Sequence, residues 1–229
     1  MTNRKRQTSE PEEDFIYQRL RTAPGIKLET VTGGHGYSGR VWELLAKQVW
    51  SENARDGYRA IDHTADGAPL LVEDNPEGEL QRISVSHTSG LFAVATLPPA
   101  PEGTDMEVFS LTTALGLDVE KDDRAQVLKV RERFLNPEEI NSISDTDLQK
   151  NIIAWTCKEA MLKLSLNPRA DIRKDLVIKR LPNPDNSEGL GEVTLPDGTS
   201  IEVTLWTIRL DSSFIITLAY TQSTLNYLK

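Results

Sequence analysis

Along the 229-residue chain the apolar positions change period several times, and each change marks an element. "SGRVWELLAKQVW", Ser38 to Trp50, repeats its apolar residues every three or four positions and predicts a helix. In "ADGAPLLVED" the Asp-Gly pair and the Pro mark a turn before a short extended run. "RISVSHTSGLFAVATLPPAP" predicts a strand, a Ser/Gly turn, a second strand and a proline stop. "PPAPEGTDMEVFSLTTA" has little periodicity and predicts a surface insertion or linker. Beyond it "LGLDVE" is strand-like, and "DRAQVLKVRERFL" is helix-like through Val127, Leu128, Val130 and Phe134. "NPEEI" sets a proline and two carboxylates in a first helical turn, where the helix dipole favours negative charge. A longer helix follows through "AWTCKEAMLKL" and ends before Pro168. The remainder, "DLVIKRLP", "GEVTLPDGTSIEVTLWTIRL" and "SSFIITLAY", is strand with a Pro-Asp-Gly turn.

"ISVSHTSGLFAVATL" and "WTIRLDSSFIITLAY" share one pattern: strand, Ser-containing turn, strand with small residues. Either hairpins simply look alike, or the chain holds two related α+β halves meeting at a cleft. The division this suggests is a disordered tail over 1–14, a first half over 15–114 and a second over 115–229.

Composition narrows the class. Hydrophobic residues make up 38% and charged residues 27%, as in ordinary globular proteins. No apolar run approaches the ~20 residues of a membrane span, so no membrane is expected. The polar N-terminus lacks the apolar stretch of a secretory signal, and the chain has 1 Cys, so a reducing, cytoplasmic setting is expected. A net charge of −9 argues against a nucleic-acid partner. Between Lys121 and Arg180, however, 13 Lys and Arg stand against 10 Asp and Glu, a locally basic stretch suited to an anionic ligand or an acidic partner.

Candidate chemistry lies in three places. In "ALGLDVEKD" strand alternation sends Gly116, Asp118 and Glu120 to one face. Two carboxylates there repel unless a cation intervenes, and Gly116 leaves room for a ligand; Mg²⁺ prefers such oxygens. The alternative is a solvated strand face. In "WTCKEAMLKL" Glu159 and Lys163 are four apart, either an exposed ion pair or a carboxylate for the same cation with a lysine for a phosphate. Ser86, His87 and Thr88 close a strand, either as turn formers or as a phosphate cradle.

Taken together, "ISVSHTSGLFAVA", "ALGLDVEKDDR", "RFLNPEEI" and "WTCKEAMLKL" resemble the 4′-phosphopantetheinyl transferases, in particular the larger, Sfp-type class. G-x-D-x-E and W-x-x-K-E-A-x-x-K about 40 residues apart are specific when they occur together. The resemblance covers about Asp66 to Tyr220. It implies an α+β pseudo-dimer of two similar subdomains, with the active site in the cleft between them. It also implies transfer of the phosphopantetheine arm of coenzyme A to a carrier-protein serine, releasing 3′,5′-ADP. The metal, Mg²⁺ or Mn²⁺, would be held by Asp118, Glu120 and Glu159. Asp118, Glu159 and Lys163 would be catalytic, while Ser86, His87, Thr88, Lys158, Lys163 and, more loosely, Arg40 would contact coenzyme A, which is a substrate. The partner would be an acidic acyl or peptidyl carrier protein, of fatty-acid, polyketide or peptide assembly. Arg124, Lys129, Arg131 and Arg133 would be docking candidates, and the enzyme would act as a monomer. The other implied possibility is a catalytically idle relative that binds coenzyme A or a carrier as a scaffold. The chain departs from the family in reading Gly67-Ala68-Pro69 where a lysine is common, in "LSLNPRAD" after the helix signature, and in a longer insertion over 98–114.

Overall fold

The computed structural model describes residues 15–22, 26–34, 37, 39–53, 58–63, 69–73, 81–97, 114–184 and 187–227. The expected tail over 1–14, the Gly67-Ala68 pair and nearly all of the 98–114 insertion lie outside the described residues.

Strands β1 (Ile16–Leu20), β2 (Lys27–Thr32), β3 (Tyr58–His63), β4 (Pro69–Glu73), β5 (Gln81–Thr88) and β6 (Leu91–Thr96) form a first sheet in the order β1-β2-β6-β5-β4-β3. Strands β7 (Leu115–Lys121), β8 (Leu176–Arg180), β9 (Gly189–Thr194), β10 (Ser200–Leu210) and β11 (Phe214–Tyr220) form a second in the order β7-β11-β10-β9-β8. Every pairing is antiparallel. With β1 set aside, the two sheets have the same strand order. The helix α1 (Gly39–Asn53) follows β2 just as the long helix α4 (Leu148–Ser165) follows β7. The fold is therefore α+β with an internal repeat, and the hairpins β5–β6 and β10–β11 occupy the same place in each copy.

The core explains why the copies stay together. Trp42, Ala46 and Trp50, four residues apart, bury one face of α1 against Val31, Ile83, Phe92 and Val94 of the first sheet. Cys157, Ala160, Met161 and Leu164 of α4 pack against Val193, Val203, Leu205 and Ile215 of the second. Between the sheets lies a third cluster, in which Leu28, Leu91, Ala93 and Ala95 meet Leu117, Val119, Ile216 and Leu218. The layers run helix, sheet, sheet, helix, which is how two one-sided sheets each bury both faces.

Before α4 the chain makes α2 (Gln126–Val130), a 3₁₀ turn (Arg131–Arg133) and α3 (Pro137–Ser142). The predicted helix over "DRAQVLKVRERFL" is thus split, with Val127 and Phe134 still buried. Asn136 and Glu139 form a reciprocal capping box that starts α3. Asp147 caps α4, which ends at Leu166 in the left-handed conformation (φ 51°), two residues before Pro168. A short helix, α5 (Gln222–Tyr227), follows β11.

A candidate active site at the seam between the halves

β7 is an edge strand of the second sheet. It pairs with β11, and Asp118 lies opposite Thr217. Its other edge runs beside β5, and there side chains replace the ladder. The Leu117 amide donates to the Ser84 hydroxyl (2.8 Å) and the Val119 amide to the Ser86 hydroxyl (3.3 Å). Ser84, Ser86 and Thr88 share one face of β5 by alternation, so all three reach β7. Buried edge amides need such partners.

The carboxylates of β7 are drawn into the same seam. Asp118 is 7% exposed, and its Oδ1 accepts from Ser86 Oγ (2.9 Å) and Lys163 Nζ (2.9 Å). Lys163 also donates to the Leu117 carbonyl (2.8 Å), so its ammonium is tied to β7 twice. Glu120 is buried as well; its Oε1 accepts from the Lys121 amide (2.9 Å) and from Thr88 Oγ1 (3.3 Å). Its Oε2 pairs with Arg124, whose guanidinium lies 5.9 Å from the centre of the Trp155 ring.

Glu159 stands one helical turn before Lys163, half-buried. Burial pushes its carboxyl above the usual carboxylate range, and the negative charge of Asp118 pushes it further. Lys163 and Arg124 act in the opposite direction. Glu159 therefore lies near enough to Asp118 to feel its charge. Among the described residues no three His, Cys, Asp or Glu side chains converge as a metal-holding group. The chemistry of the donors still suits a small hard cation: Asp118 and Glu159 oppose each other with like charge, which a divalent ion would relieve.

How β7 and α4 come so near is settled by one glycine. A Cβ on Gly116 would fall 1.9 Å from the Ala160 carbonyl oxygen and 2.8 Å from the Leu164 amide nitrogen. The expectation that Gly116 leaves room for a ligand is corrected: the helix backbone fills that room. On the other side of the helix a Cβ on Gly191 would meet Met161 Sδ at 2.6 Å. These two glycines let α4 settle onto the sheet, and that approach carries Glu159 and Lys163 to Asp118.

Lys158 is also corrected. Expected to contact coenzyme A, it is 0% exposed and points away from the seam. Its ammonium pairs with Glu139 Oε1 (2.8 Å) and donates to the carbonyls of Ile172 (3.2 Å) and Leu176. Glu139 in turn accepts from the Asn136 amide (2.8 Å) and the Ile178 amide (2.7 Å). Residues 158 and 159 are about 100° apart around a helix, so one lysine locks α3 and β8 to α4 while its neighbour faces the site.

Nor do Ser86, His87 and Thr88 form one cradle. β5 stays extended through Thr88, so His87 projects opposite the other two, exposed, with Nε2 3.7 Å from Glu43 of α1. Arg40 lies exposed in the first turn of α1, near the same carboxylate. Lys47 (2.7 Å) holds Glu43 below the usual carboxylate range, with help from His87 and Arg40. His87, Arg40 and Lys47 thus gather on one surface of the first half, apart from the Asp118 carboxylate. Of the basic residues suggested for docking, Lys129 and Arg133 are exposed, whereas Arg131 is committed inward to Asn151 (3.1 Å) and the Ile140 and Ile143 carbonyls. Ser84 was missed by sequence reasoning; its signal is the S-x-S-x-T alternation that repeats a hydroxyl along one strand face.

The family model described as the 4′-phosphopantetheinyl transferase superfamily matches residues 114–219. Its span begins beside β7 and ends in β11, and so contains Asp118, Glu120, Glu159 and Lys163. No curated protein matches the chain.

Proposed function

From the premise that residues 114–219 are a domain of the 4′-phosphopantetheinyl transferase superfamily, we propose that this protein moves the 4′-phosphopantetheine arm of coenzyme A onto a serine of an acyl or peptidyl carrier protein. One observation carries the reading: Asp118, Glu159 and Lys163 come together from a strand and a helix at the seam of two repeated halves.

In the reaction, the carrier serine hydroxyl attacks the phosphorus that bears the pantetheine arm. A new phosphate ester forms, the bond to 3′,5′-ADP breaks, and the serine proton must be taken up. Glu159, the half-buried carboxylate beside Asp118 and one turn from Lys163, is the candidate for that last task. Lys163, fixed by Asp118 and the Leu117 carbonyl, offers a fixed positive charge to the transferred phosphoryl group. Ser86 holds the Asp118 carboxylate in place, a positioning role rather than a phosphate contact. A bound Mg²⁺ or Mn²⁺, held by Asp118 and Glu159 with Glu120, would neutralise charge on the diphosphate. His87, Arg40 and Lys47 form the basic surface available to a more distant phosphate of the coenzyme.

The test is to incubate the protein with an apo carrier, coenzyme A and Mg²⁺, then weigh the carrier. A phosphopantetheine mass increment, lost with EDTA and in Glu159→Ala, supports the reading. An unchanged carrier across fatty-acid, polyketide and peptide classes, with coenzyme A still bound, would instead mark an idle scaffold.

A further inference from the structure

We infer that Arg124 is a resident counter-cation of this site, which a divalent ion must displace before Glu120 can join Asp118 and Glu159; this rests on the metal-holding reading proposed above. The starting point is a mismatch among the three carboxylates. Asp118 is tied to Lys163, one helical turn from Glu159, whereas the oxygens of Glu120 are taken by the Lys121 amide, Thr88 and Arg124. The three do not converge. Glu120 is the outlier, although strand alternation puts it on the same face as Asp118.

Arg124 accounts for the difference. It lies four residues beyond Glu120 in the turn leaving β7, and its guanidinium takes Glu120 Oε2. The same group is steadied by the Trp155 ring on α4 and reaches Glu159 with its charge. One guanidinium thus touches one carboxylate, influences a second and is anchored on the helix that carries it. A divalent ion seeking Glu120 Oε2 competes for the atom that Arg124 occupies.

The two cations of the site differ in how easily they leave. Lys163 is bound to a backbone carbonyl as well as to Asp118 and is 32% exposed. Arg124 is 43% exposed and has no backbone acceptor among its described contacts, so it can swing into water without leaving a buried donor unpaired. Its departure would uncover the Trp155 ring, which provides a built-in optical reporter.

The experiment uses the full-length protein without coenzyme A and titrates Mn²⁺, following free ion by electron paramagnetic resonance and indole fluorescence in parallel. The wild type is expected to bind Mn²⁺ with a fluorescence change that Trp155→Phe removes. Arg124→Met, which adds no oxygen ligand, should bind roughly two- to fivefold tighter, the size of one partly exposed ion pair, and lose the fluorescence change. Arg124→Lys, which keeps the charge without the planar stack, should fall between and serves if the Met variant does not fold. Unchanged or weaker Mn²⁺ affinity in a folded Arg124→Met protein overturns the inference while the metal site stands. Absence of binding in both the wild type and Arg124→Met overturns both, whereas binding only in the variant supports the displacement.

Discussion

Ser86 of the first half and Asp118 of the second share a hydrogen bond of 2.9 Å, and the same serine hydroxyl accepts from the Val119 amide at 3.3 Å. One side chain therefore aims a site carboxylate and closes a strand edge. Ser86→Ala should lower stability by about 1–3 kcal/mol through the buried amide left unpaired, read by urea denaturation. It should also reduce turnover, read by the carrier mass assay. Ser86→Cys, a weaker partner, should fall between.

Gly116→Ala should be far more damaging than its single methyl suggests. The added carbon meets helix backbone, which cannot rotate aside, so β7 and α4 must separate. Overpacking of this kind costs about 1–3 kcal/mol and occasionally more, and the upper end is expected here. Differential scanning calorimetry reads the loss, and transferase activity should fall with it even below the melting temperature.

The buried Lys158–Glu139 pair predicts strong non-additivity. Lys158→Met strands a carboxylate that is 3% exposed, which should cost about 3–5 kcal/mol. Lys158→Met with Glu139→Gln should recover part of that loss, because the amide oxygen can still accept from Ile178 while the stranded charge is gone. A double-mutant cycle in guanidinium measures the coupling. If Lys158 instead served coenzyme A, the double variant would regain no stability and would lose coenzyme affinity.

Glu159 gives the pH dependence. Its folded-state carboxyl is raised, so between the ordinary carboxylate range and that raised value the folded protein holds a proton the unfolded chain has released. Its contribution to stability is fully present below the unfolded pKa and is lost as pH rises through the folded one. Glu159→Gln should therefore raise the melting temperature of the EDTA-treated protein at pH 8 more than at pH 4. Glu159→Gln should lack turnover throughout, read by the carrier mass assay.

Asp118→Asn keeps the hydroxyl of Ser86 and the ammonium of Lys163 within reach of an oxygen but removes the charge between them. Loss of a preorganised electrostatic group is worth about 100-fold or more in turnover. The variant should remain folded by circular dichroism while the carrier mass stays unchanged on the time scale of the wild-type reaction.

Much of this was legible in the chain itself. Alternation in "GLDVE" put Asp118 on one face, helical spacing put Glu159 and Lys163 on another, and the echoing hairpins proved to occupy matching places in two sheets of like strand order. What the pattern could not carry was contact across long separations. Ser86 and Asp118 are 32 residues apart, and nothing local says that a strand will close its edge with serines from the other half. Lys158 was misplaced for a different reason: resemblance transfers a charge without the face it occupies, and one residue along a helix is the difference between site and interior. Gly116 carried the right importance with the wrong cause, since only the position of α4 shows what its missing Cβ would strike.

The repeat also sets one half against the other. Counted from the start of the hairpin's second strand, Glu29 opposite Val94 stands where Asp118 stands opposite Thr217. Glu29 is 1% exposed and enclosed by Tyr17, Arg19, Lys27 and Trp50. The first copy has sealed its carboxylate inside, and the second has kept its own beside a helix glutamate.

Because β7 takes its outer hydrogen bonds from β5, the stretch that matches the family model is not a portable module. Expressed by itself it would present a raw border of unfilled amides, inviting strand-to-strand clumping. Whatever chemistry the second copy performs, the first must be present as its mould.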